Sequence, residues 1–343
     1  MGSFVLKFGG TSVATPENRA LAFKHVVREL NSGNRVAVVV SAMGRKGAPY
    51  ATDTLISLLQ EQKDSPIKDL LISCGETISA CIFADGLISL GIPAIAFSAS
   101  TSRLRTEGPF GSSNLTSMDP TLINQAFQQN IVPVITGFQG LNEEGWVTTI
   151  GRGGSDTSAV AIGNFIGADT VDIYTDVPGI AKADPRIIPE ATFLDSIPSD
   201  DLLQLAYWGS GVIHPRAVSS FISSNLKSLR IRSTFLESEG TKVLKEMERP
   251  PFSGLAVLKN LTEDPAGKYT LGVKCFSQAP EGEYSIITAI AYNLHNKDLT
   301  EILGSDMVIA YDIENRSLQL LLKSTFVQEV SKKIYRALDT SKY

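Results

Sequence analysis

Two glycine-rich segments of the sequence carry residue types that could hold and neutralise a phosphoryl group. Lys7 lies close to Gly9 and Gly10, and a second segment, 151–156, reads Gly-Arg-Gly-Gly-Ser-Asp. Glycines let backbone N–H groups approach an anion, and a helix N-terminus behind such a turn adds partial positive charge. A lysine beside them can act as a point charge on a transferring phosphoryl group. The two segments therefore predict a phosphate-binding site.

Each segment also has an ordinary structural explanation. Lys7 could be a solvated lysine next to glycines that merely form a turn, and Ser155 and Asp156 could cap a helix. Capping leaves Arg152 and the density of glycines in the second segment unexplained. Neither segment is a Walker loop, and neither has the GxGxxG spacing, because Asp156 stands where the third glycine would be.

Short apolar runs precede both segments and would position them. Apolar residues at helical spacing predict a helix that begins at Pro16 after the capping residue Thr15, one over 67–90, and one that ends near Gly167. Strands that alternate with helices indicate an α/β fold whose mostly parallel sheet is sandwiched by helices. The strands are predicted at 4–6, 36–40, 93–97, 131–136, 146–150 and 171–174.

The paired prolines Pro250 and Pro251 mark a predicted domain boundary, because neither a helix nor a central strand continues through them. We predict a larger domain at 1–247 and a smaller α+β domain at 252–343. In the smaller domain, strands are predicted at 255–258, 269–276, 307–312 and 318–322, and apolar helices at 285–303 and 326–338.

The composition excludes several classes of protein. With 43% hydrophobic and 20% charged residues the chain is that of an ordinary globular protein, and its net charge of -5 argues against nucleic acid as a partner. No apolar run approaches the ~20 residues that span a bilayer, and the N-terminus lacks a signal-peptide pattern. Three cysteines and three histidines form no metal-ligand pattern. We expect a cytoplasmic protein without a membrane partner or a protein-held metal.

Eight motifs follow one another between about residues 3 and 240. They are KFGGTSV (7–13), VSAMG (40–44), SCGE (73–76), GFQG (137–140), TIGRGGSDT (149–157), YTDVPGI (174–180), DPR (184–186) and IRST (231–234). In sequence and order they resemble the motifs of the aspartokinases, within the amino acid kinase superfamily. The segment 44–53 is most similar to the diaminopimelate-linked aspartokinases of Gram-positive bacteria.

This resemblance implies ATP-dependent phosphorylation of the side-chain carboxylate of L-aspartate to 4-phospho-L-aspartate, the first step toward lysine (diaminopimelate), threonine and methionine. A carboxylate is already ionised at neutral pH, so the reaction needs no general base. It needs positioning and charge neutralisation, with Mg²⁺ shared by the phosphates of ATP. The resemblance also implies a homodimer and an ACT-like regulatory domain at 252–343 that could bind an amino-acid feedback effector.

The resemblance assigns roles to individual residues. Lys7 would hold the transferring phosphoryl group, and Asp156 would orient Lys7. Glu76 would bind the substrate ammonium, although it could simply cap a helix, and Arg152 would bind a substrate carboxylate. The other substrate-binding residues would be Ser41, Thr52, Gly153, Gly154 and Ser155. The nucleotide site would comprise Lys7, Phe8, Gly9, Gly10, Thr175, Asp176, Lys182 and Arg186.

Three departures from the family pattern stand out. Gly211 replaces a lysine that would help neutralise the nucleotide phosphates, and Ala181 and Lys182 stand where a large residue and a hydroxyl are usual. The segment 107–120 lacks the usual asparagine–alanine pair. We predict that Lys182 partly replaces the missing lysine, because its long stem could reach a phosphate from another anchor point. The alternative is that Lys182 points into solvent.

Two other functions stay open at the level of sequence. The chain could phosphorylate another amino-acid carboxylate, for which the altered segment 107–120 would be the reason. It could also be a weakly active or inactive paralogue that binds metabolites, for which Gly211 is the best support. Retention of Lys7, Glu76, Arg152 and Asp156 favours the aspartate kinase. The segment 252–343 has room for about one ACT-like domain, whereas the family usually carries two. We therefore expect either weak or absent feedback, or an effector site that a second chain completes.

Overall fold

A computed structural model describes residues 2–261, 269–271, 274–276, 283–292, 294, 297–314 and 316–339. Its strands are β1 (Ser3–Phe8), β2 (Arg35–Val40), β3 (Ala94–Phe97), β4 (Leu104–Glu107), β5 (Asn114–Met118), β6 (Val132–Thr136), β7 (Gln139–Leu141), β8 (Val147–Thr149), β9 (Thr170–Thr175), β10 (Ser196–Pro198), β11 (Ser228–Ser233), β12 (Thr241–Leu244), β13 (Phe252–Leu261), β14 (Tyr269–Leu271), β15 (Lys274–Phe276), β16 (Tyr284–Ala291), β17 (Val308–Glu314) and β18 (Ser317–Lys323). Its helices are α1 (Gly10–Val13), α2 (Pro16–Asn31), α3 (Thr52–Ile56), α4 (Pro66–Ser89), α5 (Ala99–Ser102), α6 (Thr121–Gln128), α7 (Gly154–Phe165), α8 (Ser199–Tyr207), α9 (Pro215–Ser223), α10 (Thr300–Leu303) and α11 (Val327–Leu338).

The chain forms two compact units, one of residues 1–179 and 216–242 and one of residues 180–215 and 243–343. The second unit takes up 180–215 because Ile187 and Ile188 are buried in the same apolar core as Phe252 and Leu255. The predicted domains, 1–247 and 252–343, differ from these units in that segment and remain a prediction from sequence.

A parallel sheet with the strand order β11-β9-β1-β2-β6-β3 forms the centre of the first unit. Val36 to Val40 are almost completely buried, as expected for a strand covered on both faces. On one face α2 and α4 pack against a core in which the ring of Phe8 lies 4.9 Å from Tyr174 and 5.4 Å from Phe83. On the other face α7 contacts β1 and β9. The predicted α/β fold with helices on both faces is confirmed.

Two helix starts follow local capping rules. Thr15 Oγ1 accepts a hydrogen bond from the Asn18 N–H at 3.2 Å, with Pro16 as the first helical residue, which confirms the predicted start of α2. Ser65 caps α4 in the same way. Among the helices that the structure describes, α4 alone is long and apolar enough to cross a membrane, but half of that stretch is buried inside the protein. Its contacts with β3 and β6 are those of a core helix.

A second, antiparallel sheet of four short strands, in the order β5-β4-β7-β8, also belongs to the first unit. The predicted strand at 146–150 corresponds to β8 and pairs with β7 in this sheet. The strands β4, β5 and β7 were not predicted, because runs of three to five residues are too short to show periodicity.

The second unit contains an antiparallel sheet with the order β13-β16-β18-β17, and α11 packs its apolar side against one face of it. This arrangement is the α+β class expected for the smaller domain. The predicted helix at 285–303 is wrong: residues 284–291 form β16, and among the described residues of that range the α-helical ones are Thr300–Leu303. β16 lies between β13 and β18 and is buried on both faces, so its apolar run lacks strand alternation. The predicted strand at 269–276 consists of the paired strands β14 and β15, and residues 272–273 lie outside the described residues.

Candidate active site

Lys7 and Asp156 form an ion pair at the carboxyl end of the parallel sheet. Lys7 is the next-to-last residue of β1, and Asp156 lies in the first turn of α7. Lys7 Nζ is 2.5 Å from Asp156 Oδ1, and the two side chains are 9% and 15% exposed. Ligands of open α/β sheets bind outside the carboxyl ends of the strands. The ion pair therefore fixes a cation where a ligand would bind.

Glu76 lies in the middle of α4 and is almost completely buried. Its Oε1 accepts a hydrogen bond from the Ala42 N–H at 3.0 Å, while its Oε2 has no hydrogen-bond partner in the described part of the chain. Burial raises the pKa of Glu76 to about 8, an effect that the Ala42 N–H and the charge of Lys7 oppose. A buried carboxylate with one free oxygen can accept a cationic group from a ligand.

The turn 151–154 brings backbone N–H groups to the same place. Gly151 and Gly153 have φ values of 82° and 67°, which favour glycine, and Gly153 precedes α7. A Cβ on Gly151 would lie 2.7 Å from the carbonyl oxygen of Gly111, so this glycine is also needed for close packing. The start of α7 adds the partial positive charge of a helix N-terminus.

Gly10 allows the loop after β1 to touch the loop after β2. A Cβ on Gly10 would lie 2.6 Å from the Gly44 carbonyl oxygen and 2.7 Å from that of Ala42. The Gly44 N–H donates to the Gly10 carbonyl oxygen at 2.9 Å, and the Gly9 N–H donates to that of Tyr174 at 3.2 Å. The glycines beside Lys7 thus hold three strand ends together.

These elements enclose a cavity of about 650 Å³ within the first unit. Ser41 Oγ donates to Ser155 Oγ at 2.9 Å, which joins the loop after β2 to the start of α7. Cavity-lining residues outside the motifs include Asp64 and Lys68. All of the residues predicted to bind substrate line the cavity: Ser41, Thr52, Glu76, Arg152, Gly153, Gly154 and Ser155.

Arg152 is exposed at this cavity, and no described residue forms an ion pair with it. A guanidinium in this position can bind a carboxylate through two parallel hydrogen bonds. We expect Arg152→Ala to raise the KM for the acidic substrate about 10-fold to 100-fold and to leave the KM for the nucleotide nearly unchanged. Steady-state kinetics would measure both constants. Arg152→Lys keeps the charge and should be intermediate, and Arg105→Ala, an exposed arginine on β4, is the control.

Asp69, one of the residues that sequence reasoning missed, fixes two loops of the cavity. It is fully buried on α4, and its carboxylate accepts hydrogen bonds from the Gly111 N–H at 2.9 Å, the Thr149 N–H at 2.7 Å and Thr149 Oγ1 at 2.9 Å. Burial raises the pKa of Asp69, and these donors oppose the shift. The sequence signal that could have revealed Asp69 is a charged residue inside an apolar helix.

Asp69→Asn should destabilise the protein and weaken substrate binding, because an amide presents N–H groups to N–H donors. Each buried donor left unsatisfied costs about 1–3 kcal/mol. We expect a lower melting temperature and a higher KM for the acidic substrate, with a smaller effect on kcat. Asp85→Asn, an exposed aspartate on α4, is the control. Unchanged melting temperature and KM would show that Asp69 does not hold the loops.

Thr175 is the last residue of β9, next to the strand that carries Lys7, and Asp176 follows it. Arg45 Nη2 lies 2.7 Å from Asp176 Oδ2, and Arg45 Nε donates to Thr11 Oγ1 at 3.1 Å. The predicted nucleotide residues Gly9, Gly10, Thr175 and Asp176 therefore lie at neighbouring strand ends. The ring of Phe8 is fully buried, so only its backbone could contact a nucleotide.

Lys182 and Arg186 belong to the second unit, where both have acidic partners. Lys182 Nζ is 2.8 Å from Oδ1 of Asp339, whose side chain is 3% exposed, and Arg186 Nη2 is 2.8 Å from Asp184 Oδ2. Lys182 therefore does not point into solvent, which was the alternative that the sequence left open. Its role at the nucleotide stays a prediction, and it requires the ammonium to leave Asp339.

Lys182→Ala tests both the ion pair with Asp339 and the predicted role of Lys182 at the nucleotide. Removing one partner of a buried ion pair typically costs about 3–5 kcal/mol, so the melting temperature should fall. The predicted nucleotide role adds a higher KM for ATP. Asp339→Asn keeps the lysine and is the matched variant: it should lose stability without the change in KM. An unchanged KM for ATP in Lys182→Ala would exclude the nucleotide role.

The segment 107–120 contributes Gly111 to the lining of the cavity. Two other residues of this segment hold Arg216. Ser113 is fully buried, and its carbonyl oxygen accepts from Arg216 Nη2 at 2.9 Å, as does Asn114 Oδ1 at 2.8 Å. A role of this segment in the choice of substrate stays a prediction.

Comparison with known proteins gives a consistent result. The model of the Amino acid kinase family matches residues 3–233. The chain is 38% identical to aspartokinase 1 of Bacillus subtilis over 83% of its length and 74% of that protein. It is 36% identical to the aspartokinase of Bacillus sp. strain MGA3 over 96% of its length and 77% of that protein.

Solved structures show the same fold. E. coli aspartokinase III in complex with aspartate and ADP aligns with a TM-score of 0.76 at 20% identity, over 98% of this chain and 99% of that one. Clostridium acetobutylicum aspartate kinase aligns with a TM-score of 0.71 at 18% identity, over 98% and 100%. At these identities the likeness establishes the fold alone.

Proposed function

The chain belongs to the amino acid kinase family, as an aspartokinase, and on that premise we propose that it phosphorylates the side-chain carboxylate of L-aspartate with ATP. The products are 4-phospho-L-aspartate and ADP. The observation that carries this proposal is the cavity that brings the partly unpartnered carboxylate of Glu76 and the guanidinium of Arg152 together, close to the glycine turn.

The charges of the cavity suit a zwitterionic amino acid. Glu76 would bind the substrate ammonium through Oε2, and Arg152 would bind a carboxylate at the exposed side of the cavity. Ser41 and Ser155, already joined by a hydrogen bond, would offer their hydroxyls to the reacting end, and Ser155 would add its N–H group. Two opposite charges at separate positions fix the orientation of a small dicarboxylate.

Phosphoryl transfer needs charge neutralisation rather than a base. The carboxylate oxygen of L-aspartate forms a bond to the γ-phosphorus of ATP, and the bond from that phosphorus to the bridging oxygen of ADP breaks. Lys7 would stabilise the charge on the transferring group, and Asp156 would keep the ammonium in place. Gly10 and the start of α7 would contribute backbone N–H groups.

We propose MgATP as the phosphoryl donor. Among the described residues, no group of three or more His, Cys, Asp or Glu side chains is arranged to hold a metal ion. Mg²⁺ would therefore arrive with the phosphates and be held chiefly by them. Thr175 and Asp176 would line the nucleotide site beside the strand end of Lys7.

An acyl-phosphate assay tests the function. Hydroxylamine converts the acyl phosphate to a hydroxamate, and ADP release is followed in parallel for L-aspartate, L-glutamate, D-aspartate and L-asparagine. We expect hydroxamate from L-aspartate at a rate that matches ADP release, and little from the others. A preference for another amino acid would support the alternative substrate, and absence of hydroxamate from all of them would contradict the kinase proposal.

We further propose that the enzyme is a cytoplasmic homodimer that serves the pathway to lysine, threonine and methionine. The aspartokinases it matches support this assignment. The second unit would be its ACT-like regulatory part, with an amino acid as effector.

A further inference from the structure

Arg216, the second residue of α9, holds two separate segments of the first unit together. Its Nη1 donates to the carbonyl oxygen of Ile150 at 2.5 Å. Its Nη2 donates to the carbonyl oxygen of Ser113 at 2.9 Å and to Asn114 Oδ1 at 2.8 Å. The guanidinium can bond both segments at once, because its donors form a planar fork with fixed directions.

These two segments lie beside each other in the wall of the phosphotransfer cavity. The Ser113 N–H donates to the Thr149 carbonyl oxygen at 3.0 Å, and a Cβ on Gly151 would lie 2.7 Å from the carbonyl oxygen of Gly111. Gly111 and Gly151 line the cavity, whereas Arg216 lies outside its lining. Any effect of Arg216 on a ligand in the cavity must therefore pass through the segments that it holds.

Asp69 and Arg216 bond the same two segments through opposite kinds of group. The carboxylate of Asp69 accepts from one backbone N–H in each segment, and the guanidinium of Arg216 donates to one carbonyl oxygen in each. Hydrogen bonds to a charged group are stronger than those between neutral groups. The turn 151–154, which begins directly after Ile150 and carries Arg152, thus starts from a point that is fixed by an anion and a cation.

We propose that Arg216 is a positioning residue for the acidic substrate: it fixes the turn 151–154, and through this turn it holds Arg152 where a substrate carboxylate binds. The inference rests on the proposed function, which assigns Arg152 to the substrate. Without Arg216 the turn has more freedom, and a displacement of about 1 Å in a positioned group can cost about 10²-fold in rate. The nucleotide residues Thr175 and Asp176 lie at the end of β9, and none of the three hydrogen bonds of Arg216 given above involves that strand.

Steady-state kinetics of Arg216→Ala in the full-length protein tests this role. We expect kcat/KM for L-aspartate to fall about 10-fold to 100-fold, mainly through a higher KM for L-aspartate, with the KM for ATP within about twofold of wild type. Guanidinium ion, added far below the concentrations that unfold the protein, should restore part of the loss in this variant and leave wild type unchanged. Arg216→Lys should restore little, because an ammonium lacks the planar fork. Arg105→Ala, an exposed arginine on β4, is the control and should behave as wild type. Unchanged kinetics in folded Arg216→Ala, or an equal rise of both KM values, would overturn the proposal.

Hydrogen exchange separates failure of this inference from failure of the proposed function. In Arg216→Ala the N–H groups of 111–114 and 150–154 should exchange about tenfold faster or more, whereas those of β2 should be unchanged. Such an acceleration in a protein that gives no hydroxamate would contradict the kinase proposal alone. Unchanged exchange in both segments would overturn the positioning role whatever the activity. Asn114→Ala removes one exposed acceptor and should show the same pattern at a smaller size, which keeps the test valid where Arg216→Ala does not fold.

Discussion

Lys7→Ala should lower kcat by about 10³-fold or more and change the KM for L-aspartate little. The ammonium of Lys7 is held at the carboxyl end of β1 by Asp156, where charge would develop on the transferring phosphoryl group. A contact of this kind acts mainly in the transition state, and removing one oxyanion donor typically costs 10²–10³ in rate, about 2.7–4 kcal/mol. Cationic groups at phosphoryl transfer contribute up to about 10⁵.

The measurement is a steady-state rate with the melting temperature recorded for each variant. Lys7→Ala leaves Asp156 without its cation in a mostly buried position, so the double variant Lys7→Ala/Asp156→Asn checks whether the loss comes from misfolding. Both should fold and both should be inactive. Lys24→Ala, an exposed lysine on α2, is the control and should behave as wild type. Turnover near wild type in folded Lys7→Ala would remove the lysine from its proposed role.

Glu76→Gln should raise the KM for L-aspartate by about 30-fold to several thousand-fold, with the KM for ATP within a few-fold of wild type. Truncating one partner of a buried charge pair costs about 2–5 kcal/mol. The glutamine oxygen can still accept from the Ala42 N–H, so the local backbone contact is kept. A shift in the KM for ATP instead would contradict the proposed division of the cavity.

The same variant should be more stable than wild type, and the difference should grow with pH. The pKa of Glu76 is raised to about 8 in the folded protein, against about 4.5 in the unfolded chain. Between these values the folded state holds the extra proton, so wild type loses stability relative to Glu76→Gln as the pH rises, by up to about 1.4 kcal/mol per pH unit. Below about pH 4.5, and above about pH 8, the difference is constant.

Urea unfolding of both proteins at pH 5.5, 7.0 and 8.5 measures this difference. Glu61→Gln, an exposed glutamate in the loop between α3 and α4, should show no such trend. For wild type the KM for L-aspartate should also rise as the pH falls below about 8, because substrate binding requires the ionised carboxylate. A free energy of unfolding that differs equally at all three pH values would show that Glu76 has an ordinary pKa.

The sequence predicted those parts of the fold and of the candidate site whose residue types are required by the local backbone conformation. Gly10, Gly151 and Gly153 are glycines because of close contacts or positive φ values, so the sequence itself reveals turns that could hold a phosphate. The helices α2 and α4 begin with a capping hydroxyl and a proline, which are visible without a structure. The strand β2 is apolar from Val36 to Val40, because both of its faces are covered.

Tertiary context accounts for what the sequence did not reveal. β16 is buried on both faces between β13 and β18, so its sequence shows no alternation of apolar and polar residues. Its β-branched residues, such as Ile286 and Ile287, favour a strand and were the available signal. Asp69 accepts hydrogen bonds from Gly111 and Thr149, which lie 42 and 80 positions further along the chain. No local motif therefore points to its role. The partner of Lys182 is 157 positions away, and an argument based on neighbouring residues could not find Asp339.

The conformation of Gly211 limits which residues this position can hold. Its φ is 71°, where an L-residue costs roughly 1–2 kcal/mol, although the nearest atom to a Cβ there would be 3.9 Å away. A side chain introduced here is therefore limited by backbone strain and not by space. An engineered cation at this position would lower the stability of the turn before it could serve any ligand.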